Sequence, residues 1–123
     1  LRKHIAAGWA SCPLTQLGCI RVMANARYPN PRPAAQIAHR LMAATRTEQH
    51  EFWNADVDPL GGNQLDWSRI LSTKHTTDVY LLTLAVARGG RLVTFDQHIP
   101  AHAVVGARDA HLIVLGRETQ QSA

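Results

Sequence analysis

The chain has 123 residues, 13 Lys plus Arg against 9 Asp plus Glu, and a net charge of +4. That length gives one ordinary domain, and 46% hydrophobic with 18% charged residues excludes a disordered chain. No apolar run approaches the ~18 residues of a membrane helix, no secretory leader pattern is visible, and a domain this size needs no disulfide or zinc staple. Eleven of the thirteen basic residues are Arg, from Arg2 to Arg117, which suits a polyanionic partner without proving one. The chain begins at Leu1 rather than Met, and reads as a processed product or a fragment.

The first expected element is a short buried strand through Trp9-Ala10-Ser11-Cys12, ended by Pro13. A helical stretch opens at Thr15, with Leu17, Ile20, Val22 and Met23 as a rough apolar face. Tyr28-Pro29-Asn30-Pro31-Arg32-Pro33 is a turn-rich connector. Ala34, Ile37, Ala38, Leu41 and Met42 then recur at the spacing of one helix face, until about Thr45. Glu51 to Asp56 reads as a short strand, Gly61-Gly62-Asn63 as a loop, and 64–71 as no more than a helical turn. Thr76-Thr77-Asp78 starts a helix, with a Thr cap and an acid in the first turn. Leu81, Leu82, Leu84, Ala85 and Val86 make it apolar nearly all round, and Gly89-Gly90 ends it. Arg91 to Phe95 is a strand delivering Asp96, Pro100 marks a loop, and His111 to Leu115 is the last strand. This alternation predicts an α/β fold with a mainly parallel sheet flanked by helices.

Cys12 and Cys19 lack a zinc or redox spacing and read as reduced core residues. The seven histidines, His4, His39, His50, His75, His98, His102 and His111, form no helical or strand ligand pair. A histidine-based metal site is therefore not expected. Among the nine carboxylates, Asp78 and Asp96 stand apart. One opens a buried helix and the other follows a buried strand. Helix starts and strand ends share one edge of a parallel α/β sheet. Two carboxylates there suit a hard divalent cation. Each also has a plainer reading, Asp78 as a helix-start acid and Asp96 as a turn residue.

The stretch Thr76-Thr77-Asp78-Val79-Tyr80-Leu81-Leu82-Thr83-Leu84-Ala85, followed by Gly89-Gly90-Arg91-Leu92-Val93-Thr94-Phe95-Asp96, resembles the C-terminal half of the PIN-domain ribonucleases. It is most similar to the VapC toxins of VapBC toxin–antitoxin pairs, of the mycobacterial type. Cys12-Pro13-Leu14-Thr15, Ile20-Arg21-Val22 and Phe52-Trp53 resemble the middle of that family. The resemblance implies a PIN-like three-layer fold, with one domain over 1–118 and a tail over 119–123. It implies a cytoplasmic type II toxin that hydrolyses RNA with Mg²⁺ or Mn²⁺, dimerises, and is held by a VapB-like antitoxin. Asp78 and Asp96 match two of the family's acids. The family's first strand, with a D-x-N-V-L pattern, has no counterpart here, and Gly18 occupies the second acid's usual place. Gln16 is a neutral stand-in nearby, and Thr94 a support for Asp96. Arg21, Arg27 and Arg91 are candidate RNA-backbone contacts. With two acids unmatched, the alternative is a PIN-like remnant that binds or dimerises without cutting.

Overall fold

A computed structural model describes residues 8–115. The expectations for Leu1 and for the 119–123 tail lie outside these residues. By its contacts the chain divides into two compact units, on either side of the Ala55–Asp56 bond.

In the first unit, β1 (Trp9–Ser11) pairs in parallel with β2 (His50–Phe52), with Trp9 opposite His50 and Ser11 opposite Phe52. Between them run α1 (Pro13–Met23) and α2 (Ala34–Thr45). Helix α1 starts at Pro13, two residues before the expected Thr15. Pro is at home at the first helical position, where its missing N–H costs no hydrogen bond. Buried Cys12 is the capping residue, and its backbone N–H donates to Thr15 Oγ1 at 2.9 Å. The rough apolar face expected on α1 is not a buried one: Leu17 is 64% exposed and Val22 54% exposed. Its apolar residues follow no single helical stripe, so no one face collects them. Helix α2 is the better amphipath, and Ile37 is buried in it at 2% exposure. The connector from Tyr28 to Pro33 is exposed throughout. Strand β2 occupies only the start of the expected 51–56 strand.

The second unit is built around α3 (Thr76–Ala87). Its Val79 and Leu82 are fully buried against Ile99 and Val104, with Leu65, Ile70, Val86, Leu92 and Leu112 packed around them. Strand β3 (Leu92–Thr94) pairs in parallel with β4 (Leu112–Val114), Thr94 opposite Val114. The ladder extends one bond further, from Leu115 N–H to Thr94 carbonyl at 2.7 Å. Single 3₁₀ turns cover Trp67–Arg69, Thr73–His75, Ala101–Ala103 and Asp109–His111. Among the described residues, the strands fall into these two parallel pairs rather than the one sheet expected. Among the described residues the architecture is α/β, with three helices and parallel strands, compatible with a PIN-like fold.

The expected end of α3 is met in full. Gly89 has φ +68°, Gly90 N–H donates to Ala85 carbonyl at 2.8 Å, and Gly89 N–H to Val86 carbonyl at 3.2 Å. This paired-bond cap needs a left-handed residue at Gly89. Gly89→Ala meets no steric neighbour but must adopt that φ, so it should lose about 1–2 kcal/mol. Urea unfolding of the two proteins checks this.

The expected Thr cap at the other end of α3 is not formed. Thr76 is already helical, and its hydroxyl donates backward to Thr73 carbonyl at 2.7 Å. The 3₁₀ turn Thr73–His75 runs straight into the helix, so His75 takes the capping position instead.

Candidate metal centre

Asp78 lies in the first turn of α3, where a negative charge is favoured by the helix dipole. Asp96 lies two residues beyond β3. The chain leaves α3 through its glycine cap and returns antiparallel as β3, so the helix start and the strand end face one edge. Asp96 is fixed locally. Its backbone N–H donates to Thr94 Oγ1 at 3.1 Å, and its Oδ1 accepts from His98 N–H at 2.8 Å. Thr94 thus supports Asp96 through the main chain, not through the carboxylate.

A third donor joins them. His75, Asp78 and Asp96 each place one ligand atom so that all lie within 4.8 Å of one another. His75 is buried, at 7% exposure, while both aspartates are half-buried. His75 Nδ1 sits 3.4 Å from Asp96 Oδ2, close enough for a charge contact but not aligned as a hydrogen bond. Sequence reasoning set His75 aside with the other six histidines. The missed signal was local: His75 precedes Asp78 by three residues, one helical turn, so both project from the same end of α3.

The electrostatics are those of a site short of positive charge. Asp78's carboxyl is pushed above the ordinary Asp value of 3.8, first by burial and then by repulsion from Asp96, against a smaller opposing pull from His75. Such a group binds its proton more tightly folded than unfolded. Its contribution to stability is therefore fully present at low pH and is lost as pH rises from about 3.8 through the raised value. Asn at this position has no charge to lose. In metal-free protein, the melting temperature of Asp78→Asn relative to wild type should rise as pH goes from about 3.5 to about 7. Melts at several pH values check the sign.

Each remaining sequence candidate is placed within its own unit. Gln16 belongs to the first unit. Its Nε2 donates to Ser11 Oγ at 2.9 Å, and that hydroxyl lies 2.7 Å from His50 Nε2. Arg21, Arg27 and Arg91 are all exposed. An open groove of about 190 Å³ in the first unit is lined by Gln16, Ile20, Ala38, Leu41, Met42 and Thr45, and offers no carboxylate.

The donor set fits a divalent cation. Two carboxylates repel one another at close range, and a buried imidazole nitrogen facing them lacks a hydrogen-bond partner. An edge of this kind is a candidate site for a divalent cation in a basic α/β chain. Comparison with known proteins makes the class specific. The chain is 50% identical over 112 residues to Ribonuclease VapC44 of Mycobacterium tuberculosis, covering 91% of this chain and 79% of that protein. It is 37% identical over 101 residues to Ribonuclease VapC39 of the same species, covering 80% and 72%. It is 40% identical over 90 residues to Ribonuclease VapC38, covering 72% and 62%. No family model and no solved structure matches. The chain belongs to the VapC ribonuclease family, the toxin ribonucleases of toxin–antitoxin pairs.

Proposed function

We propose that this protein is a type II toxin that cuts RNA internally, using Mg²⁺ or Mn²⁺ held by Asp78 and Asp96. The observation that carries the reading is the convergence of these two carboxylates, in a chain whose relatives are named ribonucleases. A divalent cation, when bound, supplies charge to neutralise a scissile phosphate and makes water nucleophilic near neutral pH. The chain's own part is to hold and aim. Asp78 is set by the first turn of a buried helix, and Asp96 by its bonds with Thr94 and His98. Exposed Arg21, Arg27 and Arg91 serve as backbone contacts for RNA. On this reading residues 1–118 make one PIN-like domain.

Membership of the family supports a reading of the partners. A VapB-like antitoxin holds the toxin inactive, and the toxin is a homodimer that works in the cytoplasm. Among the described residues no helix is long and apolar enough to cross a membrane. Light scattering across a concentration series checks the dimer, and a monomer throughout would remove it. The activity test is cleavage of an end-labelled RNA by the full-length gene product, in Mg²⁺ or Mn²⁺ and in EDTA. Cutting that needs the metal is expected. Equal cutting in EDTA by folded, nuclease-free protein would refute the metal mechanism.

A further inference from the structure

We propose that His75 supplies a nitrogen donor to the cation held by Asp78 and Asp96, which makes the centre a mixed nitrogen–oxygen site that prefers Mn²⁺ to Mg²⁺. This rests on the metal-dependent reading of the same centre and adds a residue and an ion preference to it.

Three observations carry the inference. First, His75 is placed by the fold rather than by chance exposure. It closes the 3₁₀ turn Thr73–His75 and caps α3, and its backbone N–H is fixed to Ser72 carbonyl at 3.3 Å. Second, the ring is more than nine-tenths buried, and its Nδ1 has no hydrogen-bond partner. Buried polar atoms in native proteins are nearly always paired, so an orphan nitrogen asks for a partner outside the chain. Third, that nitrogen looks at carboxylate oxygen. Nδ1 lies 3.4 Å from Asp96 Oδ2 without hydrogen-bond alignment, and the three donor atoms fall within 4.8 Å.

When Nδ1 carries no proton, its lone pair faces carboxylate oxygens, and a cation between them turns that repulsion into attraction. Ligand oxygens stand about 2.0–2.6 Å from Mg²⁺ or Ca²⁺, so donors on opposite sides of an ion are about 4–5 Å apart. The cluster is already at that scale. With the proton on Nε2, the Nδ1 lone pair is available to a cation. Imidazole nitrogen is a softer donor than carboxylate, and favours first-row transition ions over Mg²⁺, which holds best to oxygen and water. A site with carboxylates alone would discriminate less.

The test uses tag-free protein, stripped with EDTA and loaded with MnCl₂ at substoichiometric level. Pulsed electron paramagnetic resonance of bound Mn²⁺ should show ¹⁴N modulation in wild type and lose it in His75→Gln. Calorimetric titration should show His75→Gln weakening Mn²⁺ by about tenfold or more, the scale seen when a metal site loses a supporting group, with Mg²⁺ changed far less. The wild-type spectrum needs no variant, so a poorly folded His75→Gln does not remove the test. Mn²⁺ bound without nitrogen modulation would overturn the inference and leave the carboxylate reading standing. Modulation that survives in folded His75→Gln, or equal weakening of both ions, would overturn it likewise. No Mn²⁺ binding at all would overturn the inference together with the metal-dependent reading, and cleavage that persists in EDTA would identify that case.

Discussion

Asp96→Asn, and separately Asp78→Asn, should lower metal-dependent RNA cleavage by about 100-fold or more while the protein stays folded. Removing one preorganised charge-stabilising group costs about 10²–10³ in rate in well-studied enzymes. Here each carboxylate also carries part of the cation's binding. Asn keeps the shape and one oxygen but removes the negative charge, so the loss falls on holding the ion. The backbone bond from Asp96 N–H to Thr94 Oγ1 does not involve the carboxylate and survives the change. Asn can still accept from His98 N–H through its amide oxygen. Circular dichroism should therefore be unchanged in Asp96→Asn. For Asp78→Asn the metal-free fold should be no weaker at pH ~7, because burial and repulsion already disfavour the charge there. Rates measured at saturating Mn²⁺ and at limiting Mn²⁺ separate lost binding from lost chemistry. A folded Asp78→Asn with full activity would remove Asp78 from the site.

The largest effect on stability should come from Leu82→Ala, at about 2–5 kcal/mol. Leu82 is 0% exposed and packs with Val79, Ile99 and Val104 at the heart of the second unit. Truncation leaves a cavity that a helix and two loops cannot easily fill. A domain's whole stability is about 5–15 kcal/mol, so this single change removes a large share. The consequence reaches the site, since Leu82 is one turn beyond Asp78 on α3, and Leu92 of β3 packs on the same cluster. Loosening that core frees the helix that carries one acid from the strand that delivers the other. Urea unfolding should show a lower midpoint with little change in slope. Leu71→Ala is the natural control, since Leu71 is 94% exposed and its truncation should cost almost nothing.

Much of this was legible from residues alone. The helix over Thr76 to Ala87 announces itself by its apolar density, and its end by Gly89-Gly90. The shared edge of Asp78 and Asp96 was suggested by a helix-start acid and a strand-end acid in a parallel α/β pattern, while a joint role for them rested on the family resemblance. His75 was not readable by the same means. Metal histidines are usually found by spacing to other histidines, but its partners are carboxylates, one a turn ahead and the other reached only through the fold. The false Thr cap has the same origin, because a 3₁₀ turn entering a helix leaves no periodic trace in Ser72 to His75. In the first unit, Leu17 and Val22 show the limit of pattern reading. Apolar residues on a helix say that something favours burial, not what covers them.

The most direct test of the account is the position of the ion itself. Crystals of the protein grown with MnCl₂, with diffraction recorded at the manganese absorption edge, should show an anomalous peak in contact with the carboxylates of both Asp78 and Asp96, at ligand distances of about 2.0–2.6 Å. A peak bound elsewhere in a crystal of catalytically active protein, with Asp78 and Asp96 both free of it, would contradict the account.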